Sequence, residues 1–196
     1  MYKSTFCTLS FIFVIVIYLP ILIHPPLLLQ RGNDLEEFFW PIIYFIKQNI
    51  FQNGQVPLWN NLFLSGTPLL PDPQNPTFYL PNIIFLFLPL NWGFLISFII
   101  HSFWGGVGTY FLAKNIFKLS PLTCLFVSAL YILNPHLTAH LEAGHFGLVL
   151  SSAWIPWVTL SIFQLAQKPK ITSAFLLSIA LAAIYLTHIL MFIIFF

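Results

Sequence analysis

Long apolar segments alternate with short polar connections along this chain. Crossing about 30 Å of hydrocarbon takes about 20 residues at a rise of about 1.5 Å per residue. Segments of that kind lie near residues 5–23, 92–113, 121–138, 146–166 and 171–192. The pattern predicts an all-α fold, a polytopic bundle of transmembrane helices that forms a single domain over residues 1–196.

The two ends of the chain carry different signals. The apolar run from Thr5 to Ile23 is longer than a secretory signal core and lacks a small-x-small cleavage site, which favours a retained first span. The last apolar segment stops at Phe196 without the polar residues that usually flank a finished span. We therefore expect this chain to be the front part of a longer protein.

A helical periodicity appears in the long connection between the first two spans, residues 25–91. Apolar residues recur there on one side of a helix, at Leu35, Phe38, Phe39, Ile42, Ile43, Ile46 and Ile50. The opposite side carries polar residues, including Glu36, Glu37, Tyr44, Lys47 and Gln48. The pattern predicts an amphipathic helix that lies along the membrane surface.

The ends of this helix are marked by residues with known positional preferences. Asn33 or Asp34 is suited to cap its start, and Asn53-Gly54 is suited to end it. Pro41 removes one backbone donor, so we expect either a kink there or a helix that begins at that proline.

Prolines dominate the stretch that follows, GQVPLWNNLFLSGTPLLPDPQNPTFYLPN, residues 54–82. Proline fixes φ and pushes the preceding residue towards extended geometry, so we expect a stiff, non-helical path rather than a flexible linker. Aromatic rings such as Trp59, Phe78 and Tyr79 can hold it to the bilayer or to neighbouring spans. Residues 82–89 are too short to span and predict a second interfacial or re-entrant segment.

Composition agrees with a membrane protein. The chain is 59% hydrophobic and 6% charged, with a mean hydropathy of +0.89, whereas soluble domains carry about 25% charged residues. A formal net charge of +2 gives no basic surface for nucleic acid. The lipid bilayer is therefore an expected partner, and nucleic acid is not.

The distribution of charge predicts an orientation. One side of the predicted bundle carries Lys3, Lys114, Lys118, Lys168 and Lys170. By the positive-inside rule this side is the cytoplasm, which places the amino terminus inside a multi-pass protein of the plasma membrane. The outer face then receives the loops at 25–91 and 138–145, and with them every acidic residue, Asp34, Glu36, Glu37, Asp72 and Glu142.

Asp34 is the first candidate for chemistry. A carboxylate just outside the membrane can accept a proton from a hydroxyl or bind a divalent cation beside a lipid phosphate. The alternative is structural, with Asp34 as a helix cap.

Histidines supply further candidates in the second outer loop and in one span. The sequence HLEAGH contains His140, Glu142 and His145, whose spacing differs from the i, i+4 pattern of zinc peptidases. Histidines bonded to their neighbours are the favoured interpretation, with Asp34, His140 and Glu142 as weak metal candidates. His145 would bind a phosphate if it faced Asp34 across one pocket. His101 lies midway in a span, where a neutral ring bonded to an adjacent helix is favoured over a functional group.

Several motifs together resemble a known family. GND after the first span, the stretch PLWN, G-x-P, DPQ and FY-x-PN within residues 54–82, and AGHFGLVLSSAWIPW resemble the YfhO-like bacterial membrane proteins. These belong with the GT-C superfamily of lipid-dependent glycosyltransferases. The resemblance covers almost the whole chain in order and spacing, and it implies a GT-C-like membrane domain.

The resemblance also implies an activity. Members look like enzymes that move a sugar from a polyprenyl-phosphate carrier to an acceptor on the outer face, an envelope polymer, lipid or protein. Asp34 matches the catalytic acidic residue, and a divalent cation is left open as a cofactor. The match assigns substrate binding to His145, Trp59, Asn60, Asp72, Gln74 and Asn82.

Two non-catalytic classes remain as alternatives. A transporter or flippase subunit would place ionisable residues near the bilayer midplane, and no Asp, Glu, Lys or Arg lies inside a predicted span. In an envelope assembly protein, Asp34 would only cap a helix.

Overall fold

The computed structural model describes residues 2–29, 32–63, 65–69, 71–72 and 74–195. Side chains are described for these residues apart from 2–11, 76 and 195, so the prediction that places Lys3 on the cytoplasmic side concerns a side chain outside the described residues. The α-helices are α1 (Tyr2–Ile23), α2 (Trp40–Asn53), α3 (Ile84–Phe87), α4 (Leu90–Asn115), α5 (Pro121–Ile132), α6 (Pro135–Glu142), α7 (Phe146–Ser152), α8 (Ile155–Gln167), α9 (Ile171–Thr187) and α10 (Ile189–Phe195).

Shorter elements occupy the connection between α1 and α4. They are 3₁₀ turns at Pro25–Leu29, Pro76–Phe78 and Leu80–Ile83, a π-helical turn at Leu35–Phe39, and strands β1 (Trp59–Asn60) and β2 (Thr67–Pro68). The strands pair antiparallel, with Trp59 opposite Pro68 and Asn60 opposite Thr67. The rest of the described chain is mainly helical, as the sequence predicted.

Three helices in the described part of the chain are long and apolar enough to cross a membrane. They are Leu90–Asn115, Pro121–Glu142 and Phe146–Gln167. The second consists of α5 and α6, and the third consists of α7 and α8. The other two predicted spans correspond to shorter apolar helices, Ile12–Ile23 and Ile171–Thr187. The chain is therefore a helical membrane protein.

Glycines in α4 bring the central helices together. A Cβ added at Gly106 would lie 2.6 Å from the Ile132 side chain of α5, and one at Gly108 would lie 2.7 Å from the Trp157 ring of α8. The absence of a side chain at Gly106 and Gly108 therefore lets α5 and α8 pack closely against the backbone of α4. This glycine-rich segment of α4 therefore serves helix packing.

The amphipathic helix of the first loop begins and ends as the sequence indicates. The π-helical turn is followed by α2, which has Pro41 in its first turn, and Gly54 ends α2 with φ +67. Its apolar face is buried in the protein, since Ile42, Ile43 and Ile46 are at most 7% exposed. This face is thus covered by protein rather than by lipid, and a position of α2 at the bilayer surface stays a prediction.

Tyr79 fastens the proline-rich stretch to the bundle. Its hydroxyl accepts a hydrogen bond from Trp154 Nε1 at 2.8 Å and lies 2.7 Å from His101 Nε2. His101 Nδ1 lies 2.7 Å from the carbonyl oxygen of Ser97, so a neutral ring donates there and accepts from Tyr79 at Nε2. Burial raises the pKa of Tyr79 to about 12, which keeps the hydroxyl protonated at neutral pH.

We expect Tyr79→Phe to destabilise the protein by about 2 kcal/mol, because Trp154 Nε1 and His101 Nε2 would both lose a buried partner. Thermal unfolding of the detergent-solubilised protein measures the effect. Tyr44→Phe is the matched control, because that ring on α2 is 43% exposed. Equal melting temperatures for the two variants would contradict the anchoring role of Tyr79.

Candidate functional site

The start of the first loop is bonded to the turn between α6 and α7. Asn33 Nδ2 donates to the carbonyl oxygens of Leu28 and Glu142, each at 3.1 Å. The backbone N–H of Asp34 donates to the carbonyl oxygen of Ala143, also at 3.1 Å. Two loops that the sequence predicts on the same face are therefore joined by one side-chain and one backbone hydrogen bond.

Gly144 permits this close approach. Its φ is +81, in the left-handed region that side chains disfavour. A Cβ at this position would meet the backbone nitrogen of Leu35 and would lie 2.9 Å from that of Asp34. Position 144 is therefore restricted to glycine both by its backbone conformation and by the lack of space for a Cβ.

Asn33 caps the helical turn, and Asp34 does not. The Asn33 Oδ1 atom accepts from the Glu36 backbone N–H at 3.1 Å, whereas the Asp34 side chain makes no capping bond. Instead, Asp34 Oδ2 lies 3.3 Å from His145 Nε2. Asp34 therefore does not cap this turn, and its carboxylate faces His145, which is the arrangement that the sequence analysis named as a condition for phosphate binding.

The pair is open to the surroundings on one side. The Asp34 side chain is 60% exposed and that of His145 is 41% exposed. A carboxylate in this state can accept a proton from a hydroxyl group that approaches its free oxygen. The imidazole beside it can donate a hydrogen bond to an oxyanion.

An aromatic cluster fixes the position of His145. The next residue, Phe146, is 1% exposed, and its ring lies 5.2–5.8 Å from the rings of Phe39, Phe85, Phe94 and Phe98. These rings come from the π-helical turn, α3 and α4, and aromatic contacts of this geometry add to the energy of burial. His145 therefore directly precedes a residue that is anchored in the hydrophobic core.

Two more histidines continue from His145. His140 Nδ1 lies 2.7 Å from His145 Nδ1, and His140 Nε2 lies 3.2 Å from His136 Nε2. His136 and His140 are neighbours on one face of α6 because they are four residues apart. We call His136, His140 and His145 the histidine row.

The weak metal prediction finds no support in the arrangement of the described side chains. No group of three or more His, Cys, Asp or Glu side chains among them is placed to hold a metal ion. The two nitrogens of His140 face other histidines, as expected for the interpretation in which these rings bond to their neighbours.

The predicted pocket residues of the proline-rich stretch lie in several places. Asn60 is buried and its Oδ1 accepts from the Leu62 N–H, and Asp72 Oδ1 accepts from the Gln74 N–H, so both stabilise local turns. Trp59 and Gln74 are exposed. Their contribution to substrate binding stays a prediction.

Two cavities accommodate the remaining loop residues. Asn82 lines an apolar groove of about 280 Å³ between α2 and residues 77–86, together with Lys47. Asp72 lines a separate cavity of about 240 Å³ with Tyr185 and Ile189. The structure therefore brings Asp34 and His145 together, and it places Asn82 and Asp72 in two separate cavities that neither Asp34 nor His145 lines.

The sequence analysis did not identify His136 or the hydrogen bond from Asn33 to the carbonyl oxygen of Glu142. The spacing of His136 and His140 in NPHLTAHLEAGH was a usable signal, because residues four apart share a helix face. The bond from Asn33 to Glu142 had no such signal, since it joins residues 109 positions apart through a backbone carbonyl.

Comparisons with models of protein families, with curated proteins and with solved structures each find no match to this chain.

Proposed function

We propose that this chain is a membrane glycosyltransferase domain that moves a sugar from a polyprenyl-phosphate carrier to a hydroxyl acceptor, with Asp34 as the catalytic base. The observation that carries the proposal is the Asp34–His145 pair, at 3.3 Å, at the junction of the two loops. The Asp34 carboxylate makes no capping bond and is partly exposed, so it is accessible to a hydroxyl group whose proton it can accept as a general base.

The proposed reaction is a single displacement with inversion. The acceptor oxygen forms a bond to the anomeric carbon while the bond from that carbon to the phosphate oxygen breaks, and the lipid phosphate leaves with the electron pair. Asp34 takes the proton of the attacking hydroxyl group. His145 donates its Nε2 hydrogen to Asp34 and orients the carboxylate towards that hydroxyl group.

Two features support a lipid-linked donor. Three helices of the described chain are long and apolar enough to cross a bilayer, where a lipid-linked donor would reside. The apolar groove beside α2 offers about 280 Å³ of space for part of a lipid chain. No step is assigned to a divalent cation, because the described residues do not assemble its ligands. We also propose that the protein lies in the plasma membrane and that the site is on its outer face.

A transporter is the second candidate, and one feature favours it. A cavity of about 160 Å³ inside the bundle is lined by polar groups of His101, Ser102 and Tyr131. Polar residues within a membrane bundle often mark a substrate path.

The deciding experiment supplies a radiolabelled sugar on a polyprenyl-phosphate carrier to proteoliposomes that contain the full-length protein. We expect time-dependent loss of label from the lipid and its appearance on an acceptor. Label that crosses the bilayer still attached to its carrier would indicate a flippase instead. Label that neither moves nor transfers would contradict both candidates.

A further inference from the structure

The histidine row leads away from Asp34 in an unbroken series of contacts. The successive atom pairs are Asp34 Oδ2 to His145 Nε2 at 3.3 Å, His145 Nδ1 to His140 Nδ1 at 2.7 Å, and His140 Nε2 to His136 Nε2 at 3.2 Å. Each inner ring therefore uses both of its nitrogens. Such a series restricts where the protons can be.

Neutral rings admit one arrangement of these protons. A carboxylate only accepts, so the facing Nε2 of His145 carries the hydrogen and its Nδ1 accepts. His140 must then donate from Nδ1 and accept at Nε2, where His136 donates. Two nitrogens 2.7 Å apart cannot both carry a hydrogen, so His140 and His145 are not both charged.

We propose that His140 is a positioning residue that holds His145 in the tautomer with hydrogen on Nε2, and so presents an N–H to Asp34. A lone imidazole exchanges its hydrogen between the two nitrogens, and the tautomer with a bare Nε2 would face the carboxylate with a lone pair. The Nδ1–H of His140 excludes that tautomer by occupying Nδ1 of His145. His136 fixes the tautomer of His140 in the same way.

The other groups near the row do not disturb this order. At the junction of α9 and α10, His188 Nδ1 accepts from the Met191 backbone N–H at 3.3 Å. Glu142 on α6 is exposed, and its backbone carbonyl accepts from Asn33. Asp34 is an acidic side chain that contacts a ring of the row, at His145 Nε2. Asp34 and His140 therefore favour the same tautomer of His145 from the two sides of its ring.

The inference rests on the proposed function for its catalytic meaning, but the tautomers can be measured without substrate. The experiment is nitrogen NMR of the full chain in lipid nanodiscs with ¹⁵N-labelled histidine, at a pH where the rings are neutral. We expect His145 with hydrogen on Nε2 and His140 with hydrogen on Nδ1. His140→Phe should divide the His145 signal between tautomers, and His140→Asn should restore it, because the asparagine amide is a donor near the position of Nδ1.

His24→Phe is the control for the loss of a histidine, because His24 is exposed at the end of α1. A His145 tautomer that is the same in the unmodified protein and in His140→Phe would overturn the positioning role. Activity supplies a second readout, in which His140→Phe lowers kcat by about 10- to 100-fold with KM unchanged and His140→Asn recovers it. If the unmodified protein transfers no sugar, the proposed function fails while the NMR result still decides the role of His140.

Discussion

Asp34→Asn is expected to lower the rate of sugar transfer by at least about 100-fold, because the amide cannot take the proton of the attacking hydroxyl group. The substitution preserves the size of the side chain, and its oxygen can still accept from His145 Nε2. The Asp34 side chain makes no capping bond, so the helical turn that follows loses nothing. Expression, membrane insertion and melting temperature should therefore be those of the unmodified protein.

The matched control is Glu37→Gln, which neutralises another exposed carboxylate in the same turn. Both variants change the net charge by one unit, so a general electrostatic effect would appear in both. We expect only Asp34→Asn to lose activity in initial-rate measurements with the radiolabelled donor. Similar rates for the two variants would remove Asp34 from the role of base.

Gly144→Ala is expected to have the largest effect on stability. Left-handed backbone costs about 1–2 kcal/mol for a residue that has a Cβ. The new Cβ would also strike the backbone of Leu35 and Asp34, which cannot move aside as a flexible side chain can. We therefore expect a loss of more than about 2 kcal/mol on thermal unfolding, together with a loss of activity as the two loops separate.

Gly54→Ala separates these two contributions. Gly54 has a comparable φ of +67, but an added Cβ would meet nothing within 4 Å. Its cost should be limited to that of the backbone conformation, about 1 kcal/mol, with activity retained. If Gly54→Ala and Gly144→Ala were equally destabilising, the contact between the loops would contribute little.

The membrane-spanning helices could be predicted well from hydropathy. A span must satisfy its own backbone hydrogen bonds in lipid, so it is long, helical and nearly free of charge, and each property is visible in sequence. The bounds of α4 at Leu90–Asn115 differ by a few residues from the predicted 92–113. The close packing of Gly106 and Gly108 was also predictable, because small residues in a span mark contacts between helices.

The environment of α2 could not be predicted in the same way. Its periodicity correctly identifies an apolar face, but periodicity does not distinguish a face that lies on lipid from one that lies on protein. Ile42 and Ile46 pack with Leu69 from the proline-rich stretch, a residue that shares no periodic pattern with them. Contacts of this kind depend on the path of an irregular loop.

The candidate site was predictable in part. Asp34 and His145 were singled out by residue type and by the loops that carry them, and the structure places their side chains in contact. The supporting bonds from Asn33 and the backbone of Asp34 to residues 142–143 were not predictable, because they involve carbonyl groups that any residue supplies.

The bond between Asn33 and Glu142 has a consequence for biogenesis. These residues are 109 positions apart, so the first partner leaves the ribosome long before the second exists. During that interval α4 and α5 must enter the membrane, while Asn33 and Asp34 have not yet formed their hydrogen bonds to residues 142 and 143. In the nascent chain, Asn33 and Asp34 therefore lack these contacts until the α6–α7 turn has reached the same side of the membrane. Formation of the contacts then indicates that the helices up to α6 have been inserted with the correct topology.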